Sequence, residues 1–105
     1  MTPLVSVIMA VRDAESTLAA SLQSVSTQTF TRFEFIIIDD GSSDQTGAIL
    51  RAAAEKDARI RVHPQSPSGL AVSLNRAITL AQGQYVARQD ADDISMPTRL
   101  ASQVE

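Results

Sequence analysis

The feature that most constrains this chain is an alternation. Short apolar runs of strand length are separated by stretches in which apolar residues recur every three or four positions. The runs are Leu4–Val11, Phe33–Ile38, Ile60–His63 and Tyr85–Gln89. They are too short for helices, and the first three are rich in the Val, Ile and Phe that fit a pleated surface. Between them lie Leu18, Leu22 and Val25, then Ile49, Leu50 and Ala53, then Leu70, Leu74, Ala77, Ile78 and Ala81, each set spaced to share one helix face. Strands alternating with helices in this way predict an α/β fold, a mostly parallel sheet covered by helices on both faces.

Turn chemistry punctuates the alternation. Asp13 is placed to cap the first helix, and Ser43 or Asp44 to start the second. Asp39-Asp40-Gly41-Ser42-Ser43 reads as a polar turn ending the second strand, and Pro64 closes the third. Gly83 stands where the third helix needs a C-terminal cap. After Pro97, residues 98–105 read as the opening turns of another helix. No linker, repeat or low-complexity tract divides the sequence, so residues 1–105 are expected to form a single domain.

Composition removes several function classes. Net charge is -3, and the arginines are spread along the chain without a basic block, so no nucleic-acid partner is expected. Cysteine is absent, which excludes disulfides and thiolate metal sites and is compatible with a reducing cytoplasm. Met1-Thr2-Pro3-Leu4 has no basic stretch ahead of an apolar one, so no signal peptide is expected. The apolar runs fall far short of the ~20 residues that span a bilayer. Neither a Gly-x-Gly-x-x-Gly nor a Walker-type phosphate loop is present, which speaks against dinucleotide oxidoreductases and P-loop enzymes.

In open parallel sheets, ligands bind beyond the carboxyl ends of the strands. The residues expected there are Val11, Arg12 and Asp13, then Asp39 and Asp40, then Asp90, Asp92 and Asp93. Crowded carboxylates repel one another unless a cation or hydrogen-bond donors compensate. Asp90-Ala91-Asp92-Asp93 offers hard oxygen ligands of the kind that suit Mg2+ or Mn2+ beside substrate phosphates. It could equally be a solvated turn with a helix cap. Asp39 and Asp40 could accept hydrogen bonds from a base or a ribose, or simply end a strand. Arg12 and Arg88 could contact phosphate or pair with the aspartates. His63, the one histidine, has no nucleophile to pair with.

Taken in order and spacing, the motifs resemble a known family. They are Val5–Met9, Gln28-Thr29-Phe30, Phe33–Asp44, Gly69-Leu70-Ala71 with Leu74–Ala77, Gly83–Arg88, and Asp90–Asp93 with Met96-Pro97 and Arg99-Leu100. The chain resembles the N-terminal part of family 2 inverting glycosyltransferases, and the likeness covers nearly its whole length. The resemblance implies a GT-A fold with strand order 3-2-1-4. It implies a nucleotide-sugar donor, most simply a UDP-sugar, and Mn2+ or Mg2+ as cofactor. It places Ala10, Val11 and Arg12 along the nucleotide, although Ala10-Val11-Arg12-Asp13 departs at three positions from the usual Pro-Val-Tyr-Asn and lacks a tyrosine to stack on a base. Asp40 matches the aspartate that binds uracil, with Asp39 beside it. Asp90 matches the residue near ribose and metal-bound water, and Asp92 the direct metal ligand.

The implied reaction is a single displacement with inversion onto a hydroxyl of a sugar or lipid-linked acceptor. The family's general base is an aspartate after the Asp-x-Asp, so no catalytic residue is expected within these residues. The chain is expected to stop before the acceptor-binding half and to bind donor and metal without transferring sugar. A homodimer through exposed apolar surface, and a cytoplasmic protein that is membrane-associated at full length, complete the expectations. Three other readings compete. A signalling receiver domain needs a lysine on a late strand, but the only one, Lys56, falls between the second and third strands. A nucleotidyltransferase needs a glycine-rich loop that Met9-Ala10-Val11-Arg12 does not supply. A non-catalytic module could keep the fold alone.

Overall fold

The computed structural model describes residues 2–104. Its elements are β1 (Val5–Val11), α1 (Leu18–Ser26), β2 (Phe33–Asp40), α2 (Thr46–Lys56), β3 (Ile60–Gln65), α3 (Leu70–Leu80), β4 (Tyr85–Arg88) and α4 (Arg99–Val104). The strands form one parallel sheet in the order β3-β2-β1-β4. Val5 pairs with Phe33 on one side and Tyr85 on the other, and the register carries Val11 opposite Asp39.

Side-chain parity divides the core in two. Val5, Val7, Met9 and Val11 of β1 join Phe33, Phe35 and Ile37 of β2 under Leu18, Leu22, Leu50 and Leu100 from α1, α2 and α4. Ile8, Ile36 and Ile38 point the other way and meet Ala77 of α3, with Leu74 and Ala81 at the margin. The sheet is therefore covered on both faces, as expected. All of β2 is buried, which is why Phe35–Ile38 reads as a continuous apolar run and not as an alternation, with Glu34 buried before it. Each fully buried aliphatic or aromatic side chain contributes about 1.5–3 kcal/mol.

Connectivity places the functional edge. From β1 the chain steps outward to β2 and β3, then crosses back to lay β4 against the other side of β1. Strand order thus reverses between β1 and β4, and a ligand crevice is expected beyond their carboxyl ends.

Several local expectations are corrected. β2 continues through Asp39 and Asp40, which are buried ladder residues, and the turn starts only at Gly41. β3 runs on through Pro64 to Gln65, because an edge strand can spare one N–H. β4 ends at Arg88, one residue early. α1 starts after Thr17 and not at Asp13, and α2 starts at Thr46, whose N–H donates to Asp44 Oδ1 at 2.8 Å. On α3 the buried positions are Ser73 and Ala77, while Leu70 and Ile78, expected inside, lie half exposed. α3 packs mainly over β1 and β2, and Leu70 and Ile78 fall on the part of the helix that the sheet does not bury. Gly83 does not cap α3, which ends at Leu80 with Ala81 extended. Gly83 is a close-approach residue, since a Cβ there would lie 2.6 Å from the Ser6 nitrogen. Among the described residues no helix is long and apolar enough to cross a membrane.

Candidate functional site

Three loops leave the carboxyl ends of adjacent strands. The β1–α1 loop and the β2–α2 loop are laced together. Asp13 Oδ1 accepts from the Ser43 N–H at 2.7 Å and the Asp44 N–H at 3.3 Å. In return the Asp13 N–H donates to Ser42 Oγ at 3.0 Å and the Ala14 N–H to Thr46 Oγ1 at 2.9 Å. Glu15 and the Asp44–Gln45 segment exchange a second reciprocal pair. Asp13 therefore fastens two loops, where the sequence suggested a helix cap.

Asp39 and Asp40 diverge, as successive strand residues must. Asp39 Oδ1 accepts from the Ser42 N–H at 3.2 Å. Asp40 turns to the α3 side, where Oδ1 accepts from the Ser68 N–H at 2.7 Å and Gln65 Nε2 at 2.9 Å, and Oδ2 from the Gly69 N–H at 3.0 Å. The Gln65 bond is the largest influence holding the Asp40 carboxyl below its ordinary range; Ser68, Gly69 and the nearby Arg12 guanidinium add to it against the cost of desolvation. Gly41 follows at φ 74, and a Cβ there would strike the Pro67 ring. The turn signal read from the sequence thus reflects a real left-handed glycine, one residue beyond the strand.

The acidic turn follows β4, on the far side of β1. Carboxylate oxygens of Asp90, Asp92 and Asp93 lie within 4.8 Å of one another. Arg88 Nε donates to Asp90 Oδ1 at 2.9 Å, and Asp93 Oδ2 accepts from the Asp90 N–H at 3.1 Å. Asp92 is exposed and accepts no hydrogen bond among the described residues. Arg88 neutralises only part of the charge. The remaining oxygens form a hard donor set of the kind that suits a divalent cation. Two strand spacings, about 10 Å, separate the β2 and β4 ends. His63, on β3, lies three strands from the acidic turn.

The support beneath this turn was not legible as a functional feature. Gln89 is fully buried; its Nε2 donates to Asp93 O at 2.8 Å and Ser21 Oγ at 3.0 Å. Its Oε1 accepts from Ser95 Oγ at 2.6 Å and Arg99 Nη1 at 2.7 Å. Gln28 performs the same service further along, donating to Met96 O at 2.7 Å and accepting from the Leu100 N–H at 3.0 Å. The available signal was the joint presence of Gln28-Thr29 and Met96-Pro97 with Arg99-Leu100 among the motifs, since these segments are bonded to each other.

Residues 6–105 match the description "Glycosyl transferase family 2". The chain belongs to this family. The Bacillus subtilis (strain 168) protein EpsE is 43% identical over 104 residues, covering 97% of this chain and 37% of EpsE. The glycosyltransferase GlyG of Streptococcus pneumoniae serotype 4 is 35% identical over 95 residues, covering 90% of this chain and 32% of GlyG. Among solved structures, S. aureus TarS 1–349 in complex with UDP superposes with a TM-score of 0.88 at 28% identity, over 95% of this chain and 30% of that one. The mannosyltransferase PcManGT of Pyrobaculum calidifontis, in complex with GDP-Man and Mn2+, gives 0.89 at 25% identity, over 99% and 32%. The fold is accordingly the GT-A type expected. The chain spans about a third of the length of these relatives.

Proposed function

We propose that this chain forms the donor-binding part of a metal-dependent, inverting glycosyltransferase that uses a UDP-sugar. The observation that carries the reading is the convergence of Arg12, Asp39 and the acidic turn on one sheet edge, at the point where strand order reverses. The neighbours that bind UDP, or GDP-Man with Mn2+, support it.

In this reading Ala10 and Arg12 line the nucleotide, Val11 lends only its backbone because its side chain is in the core, and the exposed Arg12 guanidinium beside Asp40 meets negative charge. Asp40 takes the base from the α3 side of the strand end, and Asp39, pointing to the other face, stands beside it toward the ribose. The Asp40 oxygens already hold three donors, yet each carboxylate oxygen has more than one acceptor site, so ligand contact does not require the α3 loop to open. Asp92 is the direct metal ligand and Asp90 the second, turned by Arg88 toward ribose and metal. A bound Mn2+ or Mg2+ supplies neutralisation of charge developing on the diphosphate leaving group. No residue here is assigned as general base. The base and the acceptor site belong to further sequence of the kind that makes the relatives about three times longer, and these 105 residues transfer no sugar alone.

Calorimetric titration of UDP, GDP and CDP, with and without Mn2+, tests the proposal. The expected result is Mn2+-dependent UDP binding that Asp92→Ala abolishes. Absence of nucleotide binding under every condition overturns it.

A further inference from the structure

Asp13 has the one non-glycine backbone in the left-handed region among the described residues, at φ 50. Such a conformation costs free energy, persists only where surroundings over-determine it, and clusters at functional sites. Asp is among the few residue types that tolerate it. What holds Asp13 there is the lacing of the two loops. Its carboxylate takes two backbone N–H groups from 30 and 31 residues away while its own N–H is taken by Ser42.

The position of this knot matters. Val11 and Asp39 are register partners, so the two loops leave neighbouring strands at the same height. Asp13 is tied two residues beyond Val11 to a segment four residues beyond Asp39. Between the tie and the sheet lie Arg12 on one side and Gly41-Ser42 on the other. Asp13 itself is exposed, as are Arg12 and Ser43, and the core lies below them at Val11, Leu18 and Leu50. Core stability therefore depends little on the knot, whereas the relative placement of the two loops depends on it strongly.

We infer that Asp13 is a positioning residue that locks the β1–α1 loop to the β2–α2 loop and so sets the spacing between Arg12 and Asp39 across which a nucleotide is held. The inference rests on the donor-binding reading above. Asp13 needs no contact with the nucleotide. It acts by removing the independent motion of two loops before the ligand arrives, which is how preorganisation raises affinity.

The test compares Asp13→Ala and Asp13→Asn with wild type. An Asn amide oxygen can accept the same N–H bonds, and Asn tolerates positive φ. Asp13→Ala should weaken UDP binding about tenfold, the scale of one or two lost positioning bonds. Mn2+ binding measured alone should stay unchanged, because the acidic turn is held separately through Gln89. Asp13→Asn should bind UDP like wild type. UDP affinity unchanged in Asp13→Ala, or equally poor in both variants, overturns the inference. If wild type itself binds no nucleotide, the donor-binding reading fails, and amide exchange at Ala14 and Gln45 decides the loop lock separately. Neither amide bonds to Asp13, so faster exchange at both in Asp13→Ala but not in Asp13→Asn supports the lock, and unchanged exchange refutes it.

Discussion

Arg99 grips Gln89 from outside the acidic turn. Its Nη1 donates to Gln89 Oε1 at 2.7 Å, and its Nη2 to the Arg88 carbonyl at 2.7 Å. One guanidinium therefore spans the end of β4 and the buried amide that holds Asp93. Arg99→Met keeps much of the stem and removes the fork. A hydrogen bond to a charged group is worth about 1.5–3 kcal/mol, and the loss should appear as a lower urea midpoint. Arg99→Lys should restore only part of it, since an ammonium cannot reproduce the planar fork. Mn2+ affinity should fall along with the midpoint if Asp90 and Asp92 bind metal as proposed, because Gln89 holds the turn that carries them through the Asp93 carbonyl.

Two glycine-to-alanine changes should have opposite signs. At Gly83 the new methyl would sit 2.6 Å from the Ser6 nitrogen and 2.8 Å from the Val5 carbonyl carbon, backbone atoms of a central strand that cannot retreat. Overpacking of that kind costs about 1–3 kcal/mol. Gly47 lies in the first turn of α2, where a Cβ meets only Arg51 Nη1 at 3.4 Å and Asp39 Oδ2 at 3.5 Å. There, alanine should stabilise by up to about 1 kcal/mol through helix propensity. Thermal melts of the two variants should bracket wild type; a stable Gly83→Ala would contradict the close approach.

Asp92→Ala separates binding from folding. Asp92 is exposed and unbonded among the described residues, so its loss should leave metal-free stability within about 0.5 kcal/mol of wild type. Wild type at Mn2+ one hundred times its dissociation constant should gain about 2.7 kcal/mol by mass action. The variant should gain almost none. A melt series against Mn2+ reads both quantities, and an equal gain in the two proteins would remove Asp92 from the metal site.

The sequence made the strands, their alternation with helices and the loops at their ends legible, because apolar periodicity reports which faces are buried. β2 is the clearest case, being covered on both sides. Capping was harder to read. Asp13, Asp44 and Gly83 each carry a local signal, yet only Asp44 acts near a helix start; Asp13 bonds to residues 30 and 31 positions away, and Gly83 answers to Ser6 across the sheet. Long-range partners leave no mark on local spacing. Gln89 shows the same limit for the site. Its place at the end of the fourth strand run carries no sign of a support role, which comes from the convergence of Ser21, Ser95 and Arg99 on its buried amide. On α3, Leu70 and Ile78 fit the helical stripe but fall on the part of the helix that the sheet does not bury.

Acid should weaken the fold in part through a small set of aspartates. Asp40, Asp44 and Asp57 are all held below the ordinary aspartate value of 3.8, foremost by the side-chain hydrogen bonds of Gln65, Thr46 and Arg59 respectively. A carboxyl whose folded value is depressed contributes stability that is fully present above its unfolded value and disappears as pH falls through the folded one. The urea midpoint should accordingly be level above about pH 5 and decline below about pH 4, as the unfolded chain takes up protons that the folded chain refuses. Asp40→Asn removes one of these groups. Its amide nitrogen must also face a backbone N–H where a carboxylate oxygen accepted from Gly69 or from Ser68, so the variant should be less stable at neutral pH. Below pH 4 the two proteins should converge, because protonation of Asp40 deprives wild type of the same charge. Parallel curves, with the wild-type advantage undiminished at pH 3, would show that the Asp40 charge contributes nothing to the lock between β2 and the α3 loop.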